Sequence, residues 1–501
     1  MRLSTLAAAL VAAGLTAPAF AAPTADVAAL LEKMQARLDQ LEARNTELEK
    51  EVKALKGHNE EVAKGLDSER MSQYEPELTS RLKAVERDAL DMKKAAKKID
   101  ALDGVVATAS VTTVAQRPWG LPKDAQDATS QLNYRADVTV TLPLDPIGDT
   151  EQKIFAHFRM GQGLGLNAPF SNLGAFGSAP NAVAFRASGA NPDDSVAILG
   201  QAWYQAAIPL PFGGFKPRSR ETLELTFGKM DIFGFFDQNA AAGDETRQFL
   251  NSIFVHNPML DAGGQIGVDR NGFQPGFVAS YYNYTYKPTT WRLSFGVFGT
   301  GQGANYQRFF STPLLMAQAE SQVKWMGGLT GNYRLYAWQQ GQGTDILSGS
   351  TQKQAGFGIS ADQRLGDGIT LFSRYGHIAR GNVPFDRALT VGAEFNGSYW
   401  NQAADAIGVA AGWLKASKAY RMPLAGTHDL QGNDDPAVPA TLADNLYFTP
   451  SGAEQVAEIY YRHRISKQFE LTPDFQLVRR LGADAAMQNV RIFGLRAQLA
   501  F

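Results

Sequence analysis

Charged residues recur at every second position inside segments that are otherwise apolar, and that spacing is the first chemistry the chain offers. Arg135 and Asp137 stand two apart, Arg159 shares its segment with His157, and Glu458, Arg462 and Arg464 share one parity. Glu224 and Arg374 sit in similar company. Charged donors and acceptors make the stronger hydrogen bonds, so such side chains suit hydroxyl-rich or anionic solutes. They do not point to a reaction. His157, His256, His377, His428 and His463 are scattered without metal-ligand spacing. No segment carries a Ser, His and acid set that reads as a triad. The stretch Gly432 to Pro436 is too short for a calcium loop. The chain has no Cys, which removes thiol nucleophiles, disulfides, Cys-ligated metals and haem attachment. No cofactor, no metal site and no enzymatic activity are expected.

Alternation of this kind needs strands, because successive side chains of a strand point to opposite faces. Asn133, Arg135, Asp137, Thr139 and Thr141 then oppose Tyr134, Ala136, Val138, Val140 and Leu142. Phe155, His157 and Arg159 oppose Ile154, Ala156, Phe158 and Met160. Thr222, Glu224 and Thr226 oppose Leu223, Leu225 and Phe227, and Arg292 and Ser294 oppose Trp291, Leu293, Phe295 and Val297. Glu458, Arg462 and Arg464 oppose Ala457, Ile459 and Tyr461, and Glu470, Thr472, Asp474 and Gln476 oppose Phe469, Leu471, Phe475 and Leu477. The chain ends NVRIFGLRAQLAF, with Phe493, Leu495, Ala497, Leu499 and Phe501 on one face.

The polar face decides the fold class. A wide closed barrel encloses water, so inward charges stay hydrated while the apolar face meets lipid. The pattern runs over about 400 residues, and a strand with its share of turn takes about 25, which predicts an all-β, antiparallel transmembrane barrel of about 16 strands. Stretches rich in Gly, Asn and Ser, at Gly161 to Pro192, Thr300 to Pro313 and Met422 to Gly452, read as loops. One or more of them is expected to fold inward and narrow the pore. Trp203, Trp325 and Tyr336 read as aromatic-girdle residues.

Upstream the texture differs. Arg2, an apolar run from Leu6 to Leu15 and the site Ala19-Phe20-Ala21 read as a secretory signal peptide over 1–21. Outside it no stretch approaches the roughly 20 apolar residues of a spanning helix. Residues 22–70 read as a periplasmic parallel coiled coil. Leu31, Leu38, Asn45 and Val52 take the a positions, and Met34, Leu41, Leu48 and Leu55 the d positions. Arg37 would face Glu42 of a partner, Arg44 would face Glu49, and Glu51 would face Lys56, all of opposite sign. This predicts a homo-oligomer; Asn45 argues for parallel register, and the a/d chemistry leaves a trimer and a dimer both open. A second helical segment fills 71–104, with Leu82, Val85, Ala89, Met92, Ala96 and Ile99 in heptad spacing. Lys93, Lys94, Lys97 and Lys98 end it, either as a solvated face or as a contact for peptidoglycan or anionic lipid. The barrel takes 105–501. A net charge of −2 gives no reason to expect nucleic acid.

Several blocks of the barrel region resemble the carbohydrate-selective porin family, OprB. LTFGKMDIFGFFDQNAA (225–241) followed by QFLN (248–251) is similar to the family's strand, Asp motif and Phe-Leu-Asn motif. ADQRLGDGITLFSRYG (361–376), DAIGVAAGWLKASKAYR (405–421) and EQVAEIYYRHRISKQFELTPDFQLV (454–478) resemble later blocks in the family's order. Arg479-Arg480-Leu481-Gly482 stands where the family usually has an Asn-Pro-Gly turn, and the coiled coil is an addition. The resemblance implies an outer-membrane channel passing small sugars passively, with Arg and Glu at its constriction. The lumen candidates are Arg135, Asp137, Arg159, Glu224, Arg374, Glu458, Arg462 and Arg464. Arg exceeds acid in this set, which keeps an anion-preferring or general porin as an alternative. A barrel whose coil mainly tethers the envelope or a periplasmic partner is the other.

Overall fold

The computed structural model describes residues 36, 39–40, 42–57, 104–122, 131–172, 179–185, 194–211, 219–260, 272–299, 312–325, 328–366, 368–421 and 448–501. The chain divides into two units, Met1–Asp103 and Gly104–Phe501. In the first, residues 42–57 form a helix on which Leu48, Val52 and Leu55 are exposed in the single chain. Leu31, Met34, Leu38 and Leu41, the signal peptide and the second helical segment lie outside the described residues.

The second unit is a closed barrel of sixteen strands, each hydrogen-bonded antiparallel to its sequence neighbours. The first eight are β1 (Val106–Trp119), β2 (Gln131–Ile147), β3 (Thr150–Gln162), β4 (Val196–Leu210), β5 (Glu221–Asp231), β6 (Phe273–Asn283), β7 (Thr290–Phe298) and β8 (Leu314–Trp325). The rest are β9 (Leu329–Thr344), β10 (Thr351–Arg364), β11 (Ile369–Arg380), β12 (Phe385–Asn396), β13 (Ala406–Ala416), β14 (Ala453–Arg464), β15 (Phe469–Arg479) and β16 (Val490–Ala500). The seam closes between β1 and β16, where Val111 pairs with Leu499 and Ala109 exchanges backbone hydrogen bonds with Phe501. No edge is left open, which is what a sheet surrounded by hydrocarbon needs. No described helix is long and apolar enough to cross a membrane.

The barrel is inverted relative to a water-soluble protein. Its exposed residues include Phe158, Phe227, Leu293, Phe295, Ile359, Val391, Ile459, Phe475 and Phe493. Its buried ones include Arg135, Arg334, Asp362, Arg374, Glu470, Asp474 and Arg496. The facing read from alternation in β2, β3, β5, β7, β14, β15 and β16 agrees with this division. Connections at one end are short, such as Gly148-Asp149 between β2 and β3 and residues 465–468 between β14 and β15. Those at the other end are longer, such as 232–272 and 417–452, and the two ends are called here the turn end and the loop end.

The loop end is filled by the chain's own segment 232–260, which follows β5. It starts in a 3-10 turn, Ile232–Gly234, capped by Asp231, and carries the short helix Ser252–Val255, capped by the Asn251 side chain. Ile232, Phe236, Phe249, Ile253, Phe254 and Met259 are buried against inward residues of the wall, among them Val278, Phe298, Met316, Tyr336, Phe372, Val456 and Tyr460. The wall makes room with glycine. A Cβ on Gly358 would lie 2.5 Å from the Tyr336 ring, and one on Gly408 would lie 2.1 Å from the Tyr460 ring, across the strand pairs that join them. Part of the 161–192 loop also turns inward, burying Leu166, Phe170, Val183 and Phe185.

Candidate functional site

The inward face of the wall gathers its charges into three groups, and segment 232–260 touches each. On β2 and β3, Arg135 Nε donates to Asp137 Oδ2 at 2.7 Å, and Arg159 Nε donates to Asp137 Oδ1 at 2.7 Å. His157 Nε2 is 2.7 Å from the same Asp137 oxygen. The segment adds Glu245, whose Oε1 accepts from Arg135 Nη2 at 2.8 Å. Burial disfavours the Glu245 carboxylate, but Arg135, Arg159 and His256 outweigh it and hold its pKa below the ordinary value of 4.5.

The second group lies on β7–β10. Arg292 pairs with Glu320, Arg334 Nη2 lies 3.3 Å from Glu320 Oε1, and Arg334 Nη1 donates to Asp362 Oδ2 at 2.8 Å. Gln238 of the segment accepts from Arg292 at 2.9 Å. In the third group Glu470 of β15 is the hub. Arg247 of the segment grips it with two hydrogen bonds of 2.9 and 2.6 Å, and Arg464 donates to it at 2.9 and 2.7 Å. Arg462 lies 3.9 Å from Glu470 and 3.6 Å from Glu394. Arg247 and Arg464 each keep 36% of their side-chain surface exposed, so this group meets the solvent of the lumen.

A separate set of buried polar residues fastens the segment. Arg374 donates to Asp237 Oδ1 at 3.1 Å, to the Asp237 carbonyl at 3.1 Å and to the Phe254 carbonyl at 2.6 Å. Asp237 also accepts from the Tyr336 hydroxyl at 2.7 Å and the Asn257 amide at 2.6 Å. Glu458 accepts the amides of Leu250 and Asn251 at 2.6 and 2.9 Å. Arg496 Nη1 donates to the carbonyls of Glu245 and Gln248 at 2.9 and 2.7 Å. Backbone groups that would otherwise be stranded inside the barrel are thus satisfied by wall side chains.

The eight sequence candidates therefore divide. Arg135, Asp137 and Arg159 meet one another, and Arg462 and Arg464 meet at Glu470. Glu224, 3.5 Å from Gln205 Nε2, is hydrogen-bonded to Tyr282, whose hydroxyl accepts from Arg292 Nη1 at 3.1 Å, and so adjoins the second group. Arg374 and Glu458 face inward but not onto an open pathway: at 1% and 3% exposure they lie beneath the segment and are consumed in holding it. Two of the girdle assignments are also corrected. Trp325 is exposed, but Tyr336 is buried inside, and Trp203 stacks on inward Phe155 with centroids 4.8 Å apart and packs edge-on to Phe235 of the segment. A register shift between His157 and Phe158 opposite β4 turns Trp203 inward, and alternation alone does not show a bulge. Glu245, Arg247 and Asp237 were missed because they lie in a loop, where period two says nothing. Asp237 lies within the FFDQNAA motif just after β5, whereas Glu245 and Arg247 fall between it and QFLN, in neither motif.

A closed antiparallel barrel of sixteen strands, apolar on its outer face and charged on its inner face, with a loop folded into it, defines the class of porins. Residues 182–501, more than half of the chain, match the family described as "Carbohydrate-selective porin, OprB family". The chain belongs to that family, and it is an outer-membrane carbohydrate channel. Among solved structures it is similar to the high-pH structure of Pseudomonas putida OprB, with a TM-score of 0.60 and 18% identity over 81% of this chain and 96% of that one. The low-pH structure of the same protein aligns with a TM-score of 0.43 and 15% identity over 81% and 96% of the two chains. A mutant of Rh. blastica porin aligns with a TM-score of 0.38 and 9% identity over 79% and 100%. No curated protein sequence matches the chain.

Proposed function

We propose that the channel passes neutral mono- and disaccharides by passive diffusion, through water left between segment 232–260 and the charged wall, with no energy coupling. The observation that carries this is charge pairing at the constriction. Arg135, Arg159, Arg247, Arg292, Arg334, Arg462 and Arg464 are set against Asp137, Glu245, Glu320, Asp362, Glu394 and Glu470. Near-balance leaves a weak net field while presenting dense charged donors and acceptors to hydroxyl groups. The stacked Trp203 and Phe155 offer an apolar face for a sugar ring. A weak site suits conduction, which needs entry without trapping.

The loop end takes the extracellular side and the turn end the periplasmic side, as in barrels of this kind. The coil over 22–70 then lies in the periplasm and joins copies of the chain, with a trimer as the first expectation. The helix 42–57 supports this by presenting Leu48, Val52 and Leu55 unpartnered in one chain. Contact of the Lys93–Lys98 cluster with peptidoglycan is a further part of the same reading. The test is liposome swelling with a panel of sugars and organic anions, paired with bilayer recordings. Faster swelling for mono- and disaccharides, with sugar block of the ion current, supports it. Strong anion preference with current unmoved by sugars would leave a general porin instead.

A further inference from the structure

The outer surface of the barrel differs between its two ends. Six exposed cations stand where neighbouring strands leave the apolar band at the loop end: Lys353 on β10, Arg380 on β11, Arg387 on β12, Lys415 on β13, Arg479 on β15 and Arg491 on β16. Register fixes their facing. Arg491 shares parity with exposed Phe493 and Leu495, Arg479 with Phe475, Arg387 with Leu389 and Val391, Lys415 with Trp413, and Lys353 with Phe357 and Ile359. Arg387 pairs directly with Lys415, and Arg380 sits opposite outward Ala355. Across the seam, Arg117 of β1 pairs with Phe493 and lies 5.5 Å over the Trp119 ring. Strand β14 contributes neutral Gln455 to the row.

Of the six, Arg387 has a carboxylate beside it. Asp386 is 3.7 Å from Arg387. Among the described residues no carboxylate lies within ion-pair distance of the others. The row is densest on this arc; outside it β5 carries Lys229, which donates to the Leu199 carbonyl at 3.2 Å. On β2–β4 and β8 the corresponding outward positions hold residues such as Leu132, Met160, Leu199 and Leu315. At the turn end the same arc carries Tyr399, Tyr461 and Phe501, the amphipathic and aromatic kind of interfacial anchor. The axial distance fits a membrane. From Arg491 to Phe501 a strand tilted by about 40° climbs roughly 25 Å, the height of the apolar band of such barrels. The cations therefore stand at headgroup depth, directly above a surface that contacts acyl chains.

We propose that this arc is a docking surface for phosphorylated lipid headgroups of the leaflet at the loop end. Guanidinium groups bind phosphate oxygens bidentately, and closely spaced cations match a headgroup carrying more than one phosphate. Leu389, Val391, Trp413 and Phe493 beneath them take the acyl chains of the same lipid. A soluble polyanion would gain nothing from that apolar surface, which is why the lipid is the partner.

The test uses the full chain in detergent, with lipid binding read by native mass spectrometry. The probes are diphosphorylated lipid A, its phosphate-free counterpart and phosphatidylcholine. The diphosphorylated lipid is expected to bind at least about tenfold tighter than either, and less tightly as salt rises. Arg387→Gln, Lys415→Gln, Arg479→Gln and Arg491→Gln together should weaken it by at least about tenfold, with conductance unchanged. If the fourfold variant does not fold, the Lys415→Gln and Arg491→Gln pair gives the same readout at smaller amplitude. Equal binding of the phosphate-free lipid, or unchanged binding by a folded variant, overturns the proposal. Displacement by short-chain polyphosphate at equal concentration of phosphate would assign the arc to a soluble polyanion and overturn it too.

Discussion

Arg374 shows how much one side chain does inside this barrel. It is 1% exposed and spends its guanidinium on Asp237 and on the Phe254 carbonyl, so it bolts segment 232–260 to β11. Removing one partner of a buried ion pair leaves the other charge uncompensated, at a cost of about 3–5 kcal/mol. Arg374→Ala should therefore lower resistance to denaturant in detergent, and single-channel conductance should rise and become noisy as the segment loosens. Unchanged conductance would mean the remaining ties suffice. Glu245 gives a pH handle. A carboxylate whose folded pKa lies below its free value contributes stability that is full above pH 4.5 and is lost as pH falls through the folded value. Sugar block should thus be flat from neutral pH down to 4.5 and weaken below it. Glu245→Gln should show the weakened block at neutral pH and a shallower acid response; identical pH profiles for the two proteins would remove Glu245 from the constriction.

At the scale of elements, the strands were legible and the segment they enclose was not. Alternation in β14 separates Ile459, exposed to lipid, from Glu458, Arg462 and Arg464, and burial follows the same parity. Ile459→Arg should cost about 2–4 kcal/mol if the site is near the bilayer midplane. Arg462→Ala and Arg464→Ala should leave folding intact and shift ion selectivity, since they remove cations from around Glu470. Equal loss of stability in all three would overturn the facing. The closing strand was readable from Phe501 backwards, because a strand with one lipid face repeats strictly every second residue. Trp203 was misread because a bulge resets that period, and Tyr336 because a large inward ring over Gly358 looks like any other aromatic in the sequence. Segment 232–260 obeys no period. Its fold is decided by Arg374, Glu458 and Arg496, which lie more than 100 residues away in sequence.

At the scale of the molecule, two expectations separate cleanly. The coil is one. Leu48, Val52 and Leu55 exposed along helix 42–57, with Arg44 set to meet Glu49 and Glu51 to meet Lys56, make self-association the expected state. Chemical crosslinking of the 22–104 fragment should give a discrete trimer or dimer, and a strictly monomeric fragment at high concentration would refute it. Ion selectivity is the other, and here the structure changes the arithmetic of the sequence. The inward candidates read from sequence were richer in Arg than in acid. Glu245 from the segment, with Glu320, Asp362, Glu394 and Glu470 from the wall, brings the carboxylates almost level with the arginines. A lumen balanced in this way should select weakly, with a reversal potential near zero across a steep KCl gradient. The balance is also local, so it can be tipped. Glu245→Gln leaves Arg135 and Arg159 opposed by Asp137 alone and should move the reversal potential towards anions. Arg464→Ala leaves Glu470 to Arg247 and Arg462 and should move it the other way. Opposite shifts from these two variants, on a wild-type value near zero, are what paired charges require; a strongly anion-selective wild type would show that the pairs do not cancel where the solute passes.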